Sequence, residues 1–261
     1  MLIAHISDFH VFADRPETPL VRLDAEEAAR RVVADLARFS PTLDGVAFTG
    51  DLTDGGSAED YRRLKCILSP LQCPVYVVPG NHDKRAALRA AFRNRLPLPE
   101  GGYLNYETHL GFMRILALDT LIEGRGEGAL AEESLDWIAA RLLEPFEGPT
   151  LILLHHAPFP SGMTALDRAS LVDGRQELAF LVGAHRGAPL VLLAGHIHRP
   201  YQGMWSGAYG AVGGSPAFQV ALDLAAGEHE PGRVDEPYSY SVYRFEKDGN
   251  FAVHTRFVEI N

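Results

Sequence analysis

A chain of 261 residues, 46% hydrophobic and 22% charged, carries enough apolar material for one sizeable globular domain with at most a small appendage. The formal net charge of −10 argues against long nucleic acids as partners, since those need a basic face, and suits a small anionic substrate only if metal ions supply local positive charge. No apolar stretch approaches the roughly 18 residues of a membrane span. The N-terminus Met1–Ser7 lacks a basic n-region, and Cys66 and Cys73 form no Cys-x-x-Cys pair, so the chain reads as cytoplasmic, with free thiols and no membrane partner.

Leu2–Ser7 is predicted as a first buried strand, followed by Asp8-Phe9-His10. Asp24 with Glu27 resembles a capping box, and apolar residues from Ala25 to Phe39 recur at helical spacing. Gly45–Thr49 is the second strand and ends in Gly50-Asp51-Leu52-Thr53-Asp54; Ser57 caps a helix over Ala58–Leu68. Val75–Val78 is the third strand and stops at Pro79-Gly80-Asn81-His82-Asp83, before a helix over Lys84–Arg95. Strand, polar turn and helix thus occur three times, which predicts βαβ units and a largely parallel sheet. Strands over Tyr103–Glu107 and Met113–Thr120 pair locally, Ala131–Leu143 is an amphipathic helix, and Thr150–Leu154 is an apolar strand ending in His155-His156-Ala157-Pro158. A helix over Asp173–Ala184 leads to the strand Leu190–Ala194 and to Gly195-His196-Ile197-His198. Beyond it, Tyr201–Trp205, Ala208–Val212, Phe218–Leu224, Tyr238–Phe245 and Phe251–Glu259 are predicted strands, with a loop over Ala225–Pro237.

One feature recurs: an apolar strand whose C-terminal end delivers Asp, His or Asn. Ligands of open α/β sheets bind outside the carboxyl ends of parallel strands, so these ends can share one crevice. Residues two apart in extended chain face the same side, which lets Asp8 act with His10, and His196 with His198. Asp8, His10, Asp51, Asn81, His156, His196 and His198 make seven donors, more than the three or four of a single catalytic Zn²⁺. They suit two metals about 3.5–4 Å apart with one bridging carboxylate. Nitrogen and oxygen donors without cysteine favour Fe, Mn, Zn or Co over Ca or Mg.

Asp-x-His, Gly-Asp-x-x-Asp, Gly-Asn-His-Asp, His-x-Pro and Gly-His-x-His, in this order over residues 8–198, resemble the calcineurin-like metallophosphoesterases. The compact length, Gly195–His198 and the segment Gly214–Leu224 look like the branch of class III cyclic nucleotide phosphodiesterases and glycerophosphodiesterases, with Phe218 standing where many relatives carry His. The resemblance implies an α/β fold, a four-layer αββα sandwich of two mixed sheets. Residues 1–200 would be the catalytic core, and 201–261 a β-rich part that completes the second sheet and contributes to a substrate cap or a dimer contact. It implies that Asp8, His10 and His198 hold a first divalent or mixed-valence transition metal ion, that Asp51 bridges, and that Asn81, His156 and His196 hold a second. His82, with Asn81, would contact the phosphate and protonate the leaving group, and Asp83 would orient the His82 ring.

The implied activity is hydrolysis of small phosphodiesters (cyclic nucleotides, glycerophosphodiesters or phosphonate esters) by attack of a metal-bound hydroxide, with a homo-oligomer admitted by analogy. A phosphomonoesterase, a nucleotide pyrophosphatase and a non-catalytic scaffold stabilised by metals are the alternatives. His155 is expected as a packed or supporting residue, Asp54 as an acceptor behind the ligands or a helix cap, and His5 as a core histidine. His109, His185, His229 and His254 are expected at the surface, and Arg85 and Arg89 on a solvated helix face.

Overall fold

The computed structural model describes residues 1–260 apart from Ala226, Glu228 and Glu230. In chain order the elements are β1 (Leu2–Ile6), α1 (Ala25–Ala37), β2 (Gly45–Phe48), α2 (Ala58–Leu68), β3 (Val75–Val77), α3 (Arg85–Phe92), β4 (Tyr106–Leu110), β5 (Met113–Ala117), β6 (Gly128–Ala129) and α4 (Glu132–Leu143). Then come β7 (Thr150–Leu153), α5 (Thr164–Arg168), β8 (Leu171–Asp173), α6 (Arg175–Ala184), β9 (Leu190–Ala194), β10 (Tyr201–Trp205), β11 (Ala208–Val212), β12 (Gln219–Val220), β13 (Arg233–Val234), β14 (Tyr238–Phe245) and β15 (Phe251–Val258).

Two mixed sheets form the centre, in the orders β15-β14-β1-β2-β3 and β10-β11-β9-β7-β5-β4. β1, β2 and β3 run parallel, as do β5, β7, β9 and β11. Alternation along the second sheet sorts its side chains between two cores. Ile115, Ala117, Leu151, Leu153, Val191 and Leu193 pack with Ile3, Val46 and Val77 of the first sheet. Leu116, Ile152, Leu154 and Leu192 turn the other way, onto Ile138 of α4 and Leu178 and Val182 of α6. The outer face of the first sheet is covered by α1, α2 and α3 through Val32, Leu64 and Leu88. The four layers of the sandwich follow from burial on both faces of each sheet.

Ser57 caps α2 as expected, and Asp60 completes a capping box. Asp24 does not cap α1: Arg22 takes its carboxylate in a two-point pair at 2.6 and 2.8 Å, a stronger partner than a backbone amide. The strand expected at Tyr103–Glu107 begins three residues later. Leu104 N and Asp119 N are engaged by the side chains of Asp119 and Asn105, and the hairpin turns at Gly111, with φ of 54°. Gly174, at φ 76°, ends β8 and starts α6, so Asp173 belongs to a strand. Of Phe218–Leu224 only Gln219–Val220 is strand, paired with Arg233–Val234 inside the expected loop. That loop, Ala225–Pro237, includes the three internal residues outside the description. α5, β6 and β8 were not expected.

The C-terminal part divides between the sheets rather than completing the second alone. β10 and β11 extend the second sheet. β14 and β15 extend the first, because β1 has β2 on one side and needs an antiparallel partner for its other backbone edge. Cys66 and Cys73 are free. No helix among the described residues is long and apolar enough to cross a membrane.

Asp35 on α1 fastens the helix layer to β14 and β15. Its carboxylate accepts from Tyr240 Oη at 2.8 Å and from Arg256 Nε and Nη2 at 3.0 and 2.8 Å. Arg256 above all, then Tyr240, holds the Asp35 pKa below the ordinary 3.8, against a smaller opposing effect of burial. A carboxyl lowered on folding adds stability above its unfolded pKa and loses it as pH falls through the folded value. Asp35→Asn is therefore expected to destabilise the protein by about 1 kcal/mol at pH 7, with the difference from wild type shrinking as pH falls below the ordinary carboxylate value of 3.8. Urea midpoints against pH check this, and a difference that persists in acid contradicts it.

Candidate metal centre

The C-terminal ends of β1, β2, β3, β7 and β9 open on one edge of the sandwich. Backbone bonds lock the turns together: Asp8 N donates to Gly50 O at 3.1 Å, His10 N to Asp51 O at 3.0 Å, and Gly195 N to His155 O at 2.9 Å. Among the described residues, six other than glycine have positive φ. Five are Asp8, His10, Asp51, His196 and His198, at 46–74°; the sixth, Ser206, lies in the β10–β11 turn. Backbone of this kind costs of order 1–3 kcal/mol per residue, and here it is concentrated on the candidate ligands. Gly80 has no alternative, since a Cβ there would overlap the Asp51 carboxylate.

Four imidazoles share one arrangement. His10 donates Nδ1–H to Asp54 Oδ1 at 2.9 Å, His155 to Thr49 O at 2.7 Å, and His198 to Phe218 O at 3.1 Å. His196 is hydrogen-bonded to the backbone of Ala169. Because carboxylates and carbonyls only accept, each of these bonds places a proton on the tethered nitrogen, and when the ring is neutral the other nitrogen keeps a lone pair.

Those free nitrogens converge. His10 Nε2 lies 3.2 Å from His198 Nε2 and 3.5 Å from Asp51 Oδ2, and His198 Nε2 lies 3.4 Å from Asp8 Oδ1. His155 Nε2 is 3.3 Å from Asp51 Oδ2 and 3.1 Å from Asn81 Oδ1; His196 Nδ1 is 3.0 Å from the same Asn81 oxygen. Such a group of nitrogens and carboxylate oxygens calls for positive charge, a proton on His155 or His10 in the free protein or a cation in its place. The donor atoms of Asp8, His10, Asp51 and His198 all lie within 4.8 Å of one another, as do those of His155, His156 and His196. The chemistry of both groups fits divalent cations.

His156, the ring expected as a ligand, lies in one group with His155 and His196, with partners at both of its own ring nitrogens. Its Nδ1 is hydrogen-bonded to Thr120 Oγ1 at 2.8 Å and its Nε2 donates to Gly126 O at 3.1 Å. Both ring nitrogens are engaged, while the neighbouring His155 turns its free nitrogen to Asp51 and Asn81. Asp83 also departs from expectation. It is buried and accepts from Gly80 N, Leu52 N, Thr53 N, Thr53 Oγ1 and Tyr61 Oη at 2.6–3.3 Å, which fixes the turn rather than the His82 ring. Asp54 supports that ring instead: His82 Nδ1 lies 3.1 Å from Asp54 O and 3.4 Å from its Oδ1. The Asp54 carboxylate also accepts from Thr18 N. His82 N donates to Asp51 Oδ1 at 2.9 Å, and its side chain remains 26% exposed.

His5 is a core histidine bonded to Thr49 Oγ1. His109, His229 and His254 are exposed and His185 is half-buried. Arg85 is not on a solvated face; it pairs with buried Asp119 at 2.7 and 3.0 Å and lies over Tyr103. Arg89 ties down the carbonyls of Pro99 and Gly102.

Burial pushes His196 down to about 3 and His198 well below the usual imidazole range, so both rings are neutral donors. Burial lowers His155 as well, but the Asp51 and Asp8 carboxylates and the Thr49 carbonyl raise it to about 9.

A fold that ends parallel strands in this Asp, Asn and His cluster defines a metallophosphoesterase. The sequence profile of the calcineurin-like phosphoesterases matches residues 1–200, and the chain belongs to that family. It is 31% identical to a probable glycerophosphodiester phosphodiesterase of Arcobacter nitrofigilis, over 99% of this chain and 93% of that one. It is 34% identical to a probable cyclic nucleotide phosphodiesterase of Rhodopseudomonas palustris, over 87% of this chain and 82% of that one. The structure of a purple acid phosphatase from yellow lupin superposes with a TM-score of 0.67 at 14% identity, covering 98% of this chain and about half, 51%, of that one; this likeness concerns the fold alone.

Burial, together with the Asp51 carboxylate, raises Asp8 to about 6, against the pull of His155 and His10. An acid raised on folding costs stability that grows as pH rises from its unfolded pKa to its folded pKa and is complete above it. In chelator-treated protein at pH 7.5, Asp8→Asn is expected to raise stability by about 1–3 kcal/mol, with the gain shrinking as pH falls below about 6. An unchanged or lowered urea midpoint contradicts this.

Proposed function

We propose that the chain is a phosphodiesterase that hydrolyses small phosphodiesters at a centre of two transition-metal cations. The observation that carries this reading is the convergence of four tethered imidazoles with Asp8, Asp51 and Asn81, with His82 at the rim. Asp8, His10, Asp51 and His198 would hold one cation, and Asp51, Asn81, His155 and His196 the other, with His155 in the place first expected of His156. Nitrogen and oxygen donors suit Fe, Mn, Zn or Co. When bound, the cations supply Lewis-acid polarisation of the phosphoryl group and acidification of water.

The chain's own residues do the rest. Asp8 and Asp51 hold like charges at one point, which prepares the site for cations ahead of an anionic substrate. His82, steadied by Asp54, offers its other ring nitrogen to the phosphate and gives a proton to the departing oxygen. Asp54 serves both His10 and His82, so it couples ligand position to acid position. Thr49, Ala169 and Phe218 keep three rings in register through backbone oxygens, which no side-chain substitution removes. The names of the curated relatives, a glycerophosphodiester and a cyclic nucleotide phosphodiesterase, support diester substrates.

Hydrolysis of bis(p-nitrophenyl) phosphate tests the reading. Activity lost to EDTA should return with Mn²⁺ or Co²⁺. Asp51→Ala and Asn81→Ala should each cut turnover by orders of magnitude, and His82→Ala by about 10²–10⁴. Turnover that persists in Asp51→Ala or without added cations refutes it.

A further inference from the structure

One side of the His10 and His198 group is closed by carbon. Phe218 lies flat on the His198 imidazole, centroids 3.7 Å and planes 21° apart, and 5.8 Å from His10. Phe12, two residues past His10, joins Phe218 around Val21, Ala25 and Ala217. Neither aromatic ring is sealed; both remain partly exposed.

The segments bearing them are knitted together. Arg22 N donates to Ala217 O at 3.1 Å, and Arg233, opposite Val220 in the small ribbon, donates to Leu20 O at 3.2 Å. Leu20, Leu23, Leu222 and Leu224, on these two segments, are four of the nine large hydrophobic side chains left exposed among the described residues. Single exposed apolar residues are ordinary, but four of them on the two segments that the Phe12 and Phe218 cluster joins mark those segments as a candidate apolar surface. Polar groups nearby are already engaged: Arg22 with Asp24, Asp223 with the Ala225 amide, and the Gln219 oxygen with the Glu236 amide. A polyol would have to compete with these bonds for its hydroxyl partners.

Resting on the phosphodiesterase reading, we propose that Phe218 and Phe12 are specificity-determining residues that select diesters carrying an aromatic group, a nucleobase or an aryl ring, over diesters of glycerol. An aromatic substituent beside the phosphate would meet these rings by offset or edge contact.

The test is the ratio of kcat/KM for cyclic AMP and bis(p-nitrophenyl) phosphate to that for glycerophosphoethanolamine, measured on the metal-loaded protein. Calorimetric binding of phenyl phosphate and glycerol 3-phosphate runs alongside. Aromatic compounds should lead by tenfold or more in both. Phe12→Ala and Phe218→Ala should each lower that ratio about tenfold or more, mainly through KM. Because Phe218 touches a candidate ligand and Phe12 does not, a shift in Phe12→Ala separates selection from loss of cations. Glycerol diesters matched to aromatic ones, or a ratio unmoved in both variants, overturns the proposal while leaving the phosphodiesterase reading intact. A wild-type protein that hydrolyses none of the diesters removes that reading, and this inference with it.

Discussion

Everything at the centre depends on imidazoles that have been given away at one nitrogen. His10, His155, His196 and His198 are each hydrogen-bonded to an oxygen that can only accept. A neutral ring held in this way has a lone pair to offer on its other nitrogen, and the fold aims four such nitrogens at two buried carboxylates and an amide oxygen. Such an assembly is a poor way to stabilise a protein by itself. Burial opposes charge on Asp8, neighbouring lone pairs oppose one another, and five of the residues stand in left-handed backbone. The cost is borne by cores on both faces of two sheets, so that the turns are fixed by what lies beneath them.

The sandwich explains why the ligands can come from so far apart in sequence. Parallel strands of both sheets end at the same edge, and β1, β2, β3, β7 and β9 each contribute one short turn to the cluster. Asp54 shows how little slack remains. One carboxylate supports His10, lies beside the His82 ring and accepts the Thr18 amide. Asp83, with five donors around it, does the same for the turns after β2 and β3.

Much of this was legible in the sequence. Apolar runs ending in Asp8, Asp51, Asn81 and His196 announced both the parallel strands and the edge where they meet, because burial on both faces writes continuous hydrophobic strands. What failed to show had physical reasons. The His155–His156 pair could not be separated by pattern, since both rings lie beside His196 and it is His155 Nε2 that comes within 3.3 Å of Asp51 Oδ2, a matter of local geometry and not of composition. The roles of Asp83 and Asp54 were exchanged, since sequence adjacency to His82 says nothing about which carboxylate its ring meets. The division of the C-terminal strands between the sheets follows from the open edge of β1, a tertiary fact. The carbonyls of Thr49, Ala169 and Phe218 are backbone atoms that no motif spells out.

The most direct measurement is the number of cations bound per chain at saturation, by equilibrium dialysis with Mn²⁺ or Co²⁺ and elemental analysis, in wild type, His155→Ala and His156→Ala. The proposed assignment predicts two ions in wild type, a second ion lost or greatly weakened in His155→Ala, and two retained in His156→Ala. A single ion in wild type, or loss of an ion on removing His156 but not His155, would contradict it.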